Sequence, residues 1–210
     1  MTSRAVLAIE LSTPRGHVAL VRGADVLLEE AFVSERSHNS MLYEPLGRAL
    51  EVAGDALSLV VVGLGPGSYT GVRISIAAAQ GLGLSRSVPV IGLPSIGFLS
   101  DEADYIAVGD ARRGQFYTTR INEHRQLDAI KLLPSEETSS WLSQQNLPAF
   151  TSDSVPPLPG VLCAKPSAIS LAKLAAELGE ETVWTLTERP LEPCYVQEAF
   201  ITKSKKPLGT

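Results

Sequence analysis

Nine residues, GLGPGSYTG at 63–71, hold four glycines and a proline between two strongly apolar stretches. The run before them, LSLVVV, is continuous rather than alternating, as expected of a buried strand. The stretch after them, VRISIAAAQGLGL, reads as a helix that is apolar nearly all round. A strand, a glycine turn and a helix in that order can hold an anion on backbone amides. The spacing does not fit GxGxxG. A Walker A loop needs GK[ST], and the first lysine in the chain is Lys131. Two readings remain open for the loop. Gly65, Gly67 and Ser68 could cradle an anion, with Ser68 or Thr70 capping the helix. Alternatively, the missing side chains let another element approach the backbone.

The 210 residues suffice for one large domain or two small lobes, and 44% hydrophobic with 20% charged content is ordinary for a globular chain. No apolar stretch approaches the roughly 20 residues of a membrane span. MTSRAVLAIELS runs directly into a strand pattern without a signal-peptide core, so a cytoplasmic location is expected and no membrane contact. Cys163 and Cys194 have no ligand-spaced partner, and His17, His38 and His124 form no HxxH, HxxxH or HExxH pair. No metal site is expected. Residues 1–130 hold 11 Arg and no Lys against 14 acids, and the remainder 7 basic residues against 9 acids. With a net charge of −5, phosphate neutralisation alone would not make this chain a strong nucleic-acid binder.

Along the chain, Val6–Ile9 ends in Glu10 and a turn at 11–16. Strand-like runs at 17–22 and 26–32 then complete an antiparallel meander. A helix follows from about Ser40 to Ala53, with Pro45 either starting it near Glu44 or bending its first turn. After the buried strand, the loop and the second helix, Val88–Leu93 is a further strand, and Ser95 could cap a short helix. This β-β-β-α-β-α-β order is that of an actin-like, ribonuclease-H-like α/β lobe. From Asp104 the pattern of strand, carboxylate, turn and strand repeats around Asp110, followed by helices at about 136–145 and 167–178 and a polar tail. The expected organisation is an N-terminal lobe at 1–100 and an abbreviated C-terminal lobe at 101–210.

GLGPGSYTGVRIS resembles the GxGPGSFTGLRIG signature of the TsaB (YeaZ) family of tRNA threonylcarbamoyladenosine synthesis. In order, LAIELSTPRGHVAL is similar to the family's LAIDTSTxxxSVAL opening, SHNSMLYEPL to HSxxLLPxI, VGDARRGQFY to IDARMGEVY, and LEPCYVQ to PxYLR. Glu10 and Leu11 depart from the family's Asp-Thr. The resemblance covers residues 1–120 well. It implies an actin-like ATPase fold without catalytic residues. The chain would be a scaffold that dimerises with TsaD, the subunit that modifies N6 of adenosine at position 37 of tRNA, and supports TsaE binding. No cofactor would be intrinsic, ATP or ADP would enter only in the complex, and tRNA would be met indirectly. Alone, the chain could form a homodimer.

Family complexes pair through the first lobe's two helices, which the resemblance places on Met41, Leu42, Leu46, Ala49, Thr70, Arg73, Ala77, Ala78 and Gly81. On that basis Ala78 or Ala79 changed to Arg should break the complex and leave a folded monomer. Nucleotide or anion contact is the lesser option for Glu10, Ser12, Gly65, Gly67, Ser68 and Asp110. Glu10 and Asp110 read more simply as turn carboxylates, and Ser12 and Thr13 as turn stabilisers. Ser68 has no histidine nearby in sequence to activate it. The Lys203–Lys206 tail reads as a solvated end. A stand-alone actin-like kinase or ATPase is the alternative, and a protease ranks last because neither a metal pair nor a serine triad is present.

Overall fold

The computed structural model describes residues 4–33 and 38–196. The Lys203–Lys206 tail lies outside them. The first sheet has five strands in the order β3-β2-β1-β4-β5, with β1 at Ala5–Glu10, β2 at Arg15–Arg22, β3 at Asp25–Val33, β4 at Leu57–Gly63 and β5 at Val90–Leu93. β1, β2 and β3 pair antiparallel, while β4 runs parallel to β1 and β5 parallel to β4. The alternation of a strand assigns its residues to two faces. Leu7, Ile9, Val18, Leu20, Val60 and Val62 face α1 (His38–Ala53) and α2 (Tyr69–Arg86). Val6, Ala8, Ala19, Val21, Leu59 and Val61 face the opposite side.

Two sequence expectations change here. Of the two alternatives left at Pro45, a start near Glu44 is ruled out, because helix α1 runs through Pro45 from His38. Leu42, Leu46 and Ala49, one and two turns apart, are all buried against the sheet, and that packing outweighs the hydrogen bond a proline removes. Ser95 caps nothing, because Pro94 holds the cap position of the short 3-10 turn Ser95–Phe98.

The second sheet, in the order β11-β10-β6-β7-β8 with β9 also on β7, is built on the hairpin of β6 (Asp104–Asp110) and β7 (Gln115–Asn122). β8 is Arg125–Gln126, β9 Lys131–Pro134, β10 Ala149–Thr151 and β11 Val161–Cys163. Helix α3 (Ser135–Gln145) brings Trp141 and Leu142 to the face that carries Ile106 and Val108. Tyr105, Ala107, Tyr117 and Ile121 on the other face meet Ile96 and Leu99 of the connection from the first lobe.

The chain then returns. Helix α4 (Ala168–Glu177) and helix α5 (Glu180–Thr187) cover the open face of the first sheet, burying Ala168, Leu171, Ala172, Ala175 and Val183 against it. A division at residue 100 separates the two sheets but leaves these helices with the wrong one. The reason is hydrophobic: the first sheet is apolar on both faces, and α1 and α2 cover only one. The architecture is a two-lobed α/β fold with one mixed sheet in each lobe.

Candidate functional site

The turn after β1, the glycine loop, the turn after β6, the bend at Ser152–Ser154 and the segment Pro193–Val196 enclose a cleft of about 1130 Å³ between the lobes. Ser12, Gly67, Ser68 and Asp110 line it, with Glu10 and Gly65 buried behind them. The two strand–carboxylate–turn units seen in the sequence thus face each other across the cleft.

The loop's donors decide between its two readings. Ser68 N donates to Ser12 O at 2.7 Å, and Gly65 N to Ser95 Oγ at 2.9 Å. Ser68 Oγ accepts from Gly71 N at 3.2 Å and caps α2. A Cβ on Gly67 would fall 2.1 Å from Ser12 O, and one on Gly71 2.0 Å from Leu11 O. The glycines bring the loop against the backbone of the first turn. Gly65 and Ser68 therefore turn their amides to the protein itself. Ser12 N is likewise held by Glu10 Oε1 at 2.6 Å, and Thr13 Oγ1 donates to Arg15 O at 2.9 Å. As they stand, these groups do not fit the phosphates of ATP or ADP.

Glu10 is only 1% exposed, and its Oε2 has no hydrogen-bond partner. Gly63 makes room for this carboxyl, since a Cβ there would lie 1.8 Å from Oε2. Burial raises the Glu10 pKa above its ordinary 4.5. Asp110 is a turn carboxylate: Oδ1 accepts from Arg112 N at 2.7 Å, and Oδ2 pairs with the Arg112 guanidinium at 3.2 Å. Its own amide donates to Asp153 Oδ2 at 2.9 Å, a contact across 43 residues of chain.

His17 ties the returning helix to the first sheet. Its Nδ1 accepts from Ala168 N at 3.1 Å at the start of α4, and Nε2 lies 3.1 Å from Glu29 Oε1. The ring is therefore the neutral tautomer with its proton on Nε2. Burial first, and the charge of Arg15 second, hold its pKa below the ordinary 6.5. The unfolded chain takes up this proton at a higher pH than the folded one. Stability is therefore full above pH 6.5 and falls as pH drops towards the folded value. Urea midpoints at pH 5.5 and 7.5 should show a smaller acid loss for His17→Gln than for the parent; equal losses would contradict the assignment.

The nine expected interface positions divide. Met41, Thr70, Arg73, Ala77 and Gly81 are exposed on α1 and α2, and Ala78 is half-buried. Leu42, Leu46 and Ala49 belong to the core of the first lobe and cannot meet a partner. Sequence reading also missed Tyr43, which with Tyr69, Arg73 and Ala77 lines a groove of about 470 Å³ between the helices. Arg73 lies over the Tyr69 ring at 5.3 Å and donates to its hydroxyl at 2.9 Å, and Tyr195 arrives 5.8 Å from the same ring. The i, i+4 spacing of Tyr69 and Arg73 was a readable signal; the arrival of Tyr195 was not.

Residues 32–137, half of the chain, match the family described as "TsaD: tRNA N6-adenosine threonylcarbamoyltransferase". An uncharacterized protein of Mycobacterium tuberculosis is 32% identical over 201 residues, 91% of each chain. The TsaB protein of Bacillus subtilis is 33% identical over 121 residues, 54% of this chain and 53% of that protein. For the Escherichia coli TsaB the values are 30% over 150 residues, 67% and 63%. This chain thus spans less than two thirds of either TsaB protein. A solved structure of YeaZ from Pseudomonas aeruginosa superposes with a TM-score of 0.68 at 24% identity, over 92% of this chain and 100% of that one, and shows the shared fold. The chain belongs to the TsaD/YeaZ (TsaB) family.

Proposed function

We propose that this chain is a non-catalytic subunit of the bacterial machinery that makes N6-threonylcarbamoyladenosine in tRNA. It pairs with a TsaD-type catalytic subunit through the outer face of α1 and α2 and supports docking of the ATPase TsaE. The observation that carries the proposal is on those helices. Gly47 and Gly81 lie within α1 and α2, and a Cβ at either would meet nothing within 4 Å. A helical glycine costs about 0.5–1 kcal/mol relative to alanine, and no packing among the described residues requires these two. Around them are exposed Tyr43, Thr70, Ala77 and Leu84. Small residues beside aromatic ones suit another helix approaching to about 8–10 Å.

The histidines support a scaffold over a catalyst. His17 and His124 are both engaged in internal hydrogen bonds, the latter through Nδ1 to Gly97 O at 2.8 Å. The acidic balance, with a sequence pI near 5.3, suits a subunit whose partner makes most of the RNA contact. In the absence of that partner the same face can pair two copies of the chain.

Reconstitution tests the proposal. Threonylcarbamoyl transfer to tRNA should appear when this chain joins TsaD, TsaE and the carbamoyl-adenylate synthase, and be absent from the mixture without it. Transfer by the three-component mixture, or by this chain alone, would overturn it. Calorimetry with Mg–ATP should show no binding by the isolated chain.

A further inference from the structure

One aromatic ring forms part of two cavities. Tyr69, at the start of α2, lines the interlobe cleft together with Cys194 and Tyr195. It also lines the outer groove of α1 and α2 together with Tyr43 and Arg73. The ring is held from both sides. On the outer side the Arg73 guanidinium lies over it at 5.3 Å and donates to its hydroxyl at 2.9 Å. On the cleft side Tyr195 tilts against it at 5.8 Å. The hydroxyl feels both neighbours: that of Tyr195 first, and Arg73 second, hold the Tyr69 pKa below the ordinary 10. Tyr195 belongs to a stretch, Pro193–Val196, without helix or strand. That stretch is tethered by the bond from Cys194 N to Leu64 O at 2.7 Å, by Tyr69 and by Val196 on the second lobe. A segment without a hydrogen-bonded ladder opens at low cost when a tether is lost.

We propose that Tyr69 couples the outer face of α1 and α2 to the interlobe cleft. A partner helix that draws the Arg73 guanidinium to itself removes the support on one side of the ring. Tyr69 then follows Arg73, Tyr195 loses its neighbour, and the Pro193–Val196 wall of the cleft loosens. The partner is the TsaD-type subunit, so this step rests on the proposed pairing of that face. The two contacts of the ring do not depend on it.

Cys194, partly exposed in the cleft beside Tyr195, reports on that wall. Burial raises its thiol pKa, so labelling is slow until the wall moves. In a Cys163→Ser background, maleimide labelling of Cys194 in the isolated chain is followed by mass spectrometry. Arg73→Met should raise the rate about threefold or more, with the cooperative thermal transition retained. Loss of a nearby cation by itself lowers the thiolate content and slows labelling, so an increase reports movement. In a Tyr69→Ala background, itself fast, Arg73→Met should add nothing, as expected of one coupled unit. Met41→Ala, exposed on the same outer face, should leave the rate unchanged. Saturating TsaD should raise the parent's rate as Arg73→Met does. An unchanged rate in Arg73→Met, an equal rise with and without the Tyr69 ring, or a matching rise in Met41→Ala overturns the proposal. So does a rate that bound TsaD leaves unchanged or lowers, or a rise accompanied by loss of the thermal transition. If TsaD does not bind at all, the pairing of the outer face fails, while the isolated-chain rates still decide whether Tyr69 joins the two cavities.

Discussion

Replacing Ala79 by Arg is expected to unfold the first lobe, whereas Ala77→Arg, two residues earlier, should leave it folded and abolish partner binding. The two positions lie on opposite sides of one helix. Ala79 is fully buried, in the cluster that joins α2 to the sheet. A guanidinium there has no counter-charge among its described neighbours, and the side chain has no volume to enter. The loss should exceed about 4 kcal/mol. Ala77 is exposed in the groove beside Tyr43 and Arg73. Arginine at that position should change the monomer's stability by less than about 0.5 kcal/mol. At a helix–helix contact it must be desolvated beside Arg73, weakening association on the order of 100-fold. Urea unfolding and calorimetry against TsaD separate the two effects. Undiminished TsaD binding by Ala77→Arg would remove this face from the interface. The sequence reading treated Ala78 and Ala79 as equivalent probes, but Ala78 is half-buried and Ala79 is core, so neither is a clean one.

That error shows what a sequence can and cannot say here. The meander, the parallel strand before the loop and the helix after it were legible, because each has an unambiguous period or a glycine boundary. The outward face of α2 was not. Its inner side and its outer side are both built of alanine and other apolar or small residues, so periodicity could not orient it. The same limit put Leu42, Leu46 and Ala49 on the surface. Their spacing identifies a stripe, and only the sheet beneath shows that the stripe points inward. Helices α4 and α5 were harder still. Their place on the first sheet depends on a contact such as His17 with Ala168, between residues far apart in sequence. The glycine loop gave two readings from its composition, and only the distances to Leu11 and Ser12 chose between them.

Gly71→Ala and Gly81→Ala, the same change in the same helix, should move stability in opposite directions. Alanine is intrinsically the better helix former by about 0.8–1 kcal/mol, so propensity alone predicts a gain at both. At Gly81 nothing among the described residues opposes it, because the added Cβ meets none of their atoms within 4 Å. The isolated chain should gain about 0.5–1 kcal/mol there. At Gly71 the new Cβ would fall 2.0 Å from Leu11 O, a backbone atom that cannot swing aside like the end of a side chain. Relief requires α2 to lift from the first turn. That movement would break the Ser68 N–Ser12 O hydrogen bond and loosen Val72 and Ile76 from the core. A loss of about 3 kcal/mol or more is expected, since overpacking against fixed backbone exceeds the propensity gain. Urea midpoints of the two variants measure both signs at once. If Gly71→Ala proved as stable as the parent, the loop would not be clamped to the first turn, and its amides would again be free to receive an anion.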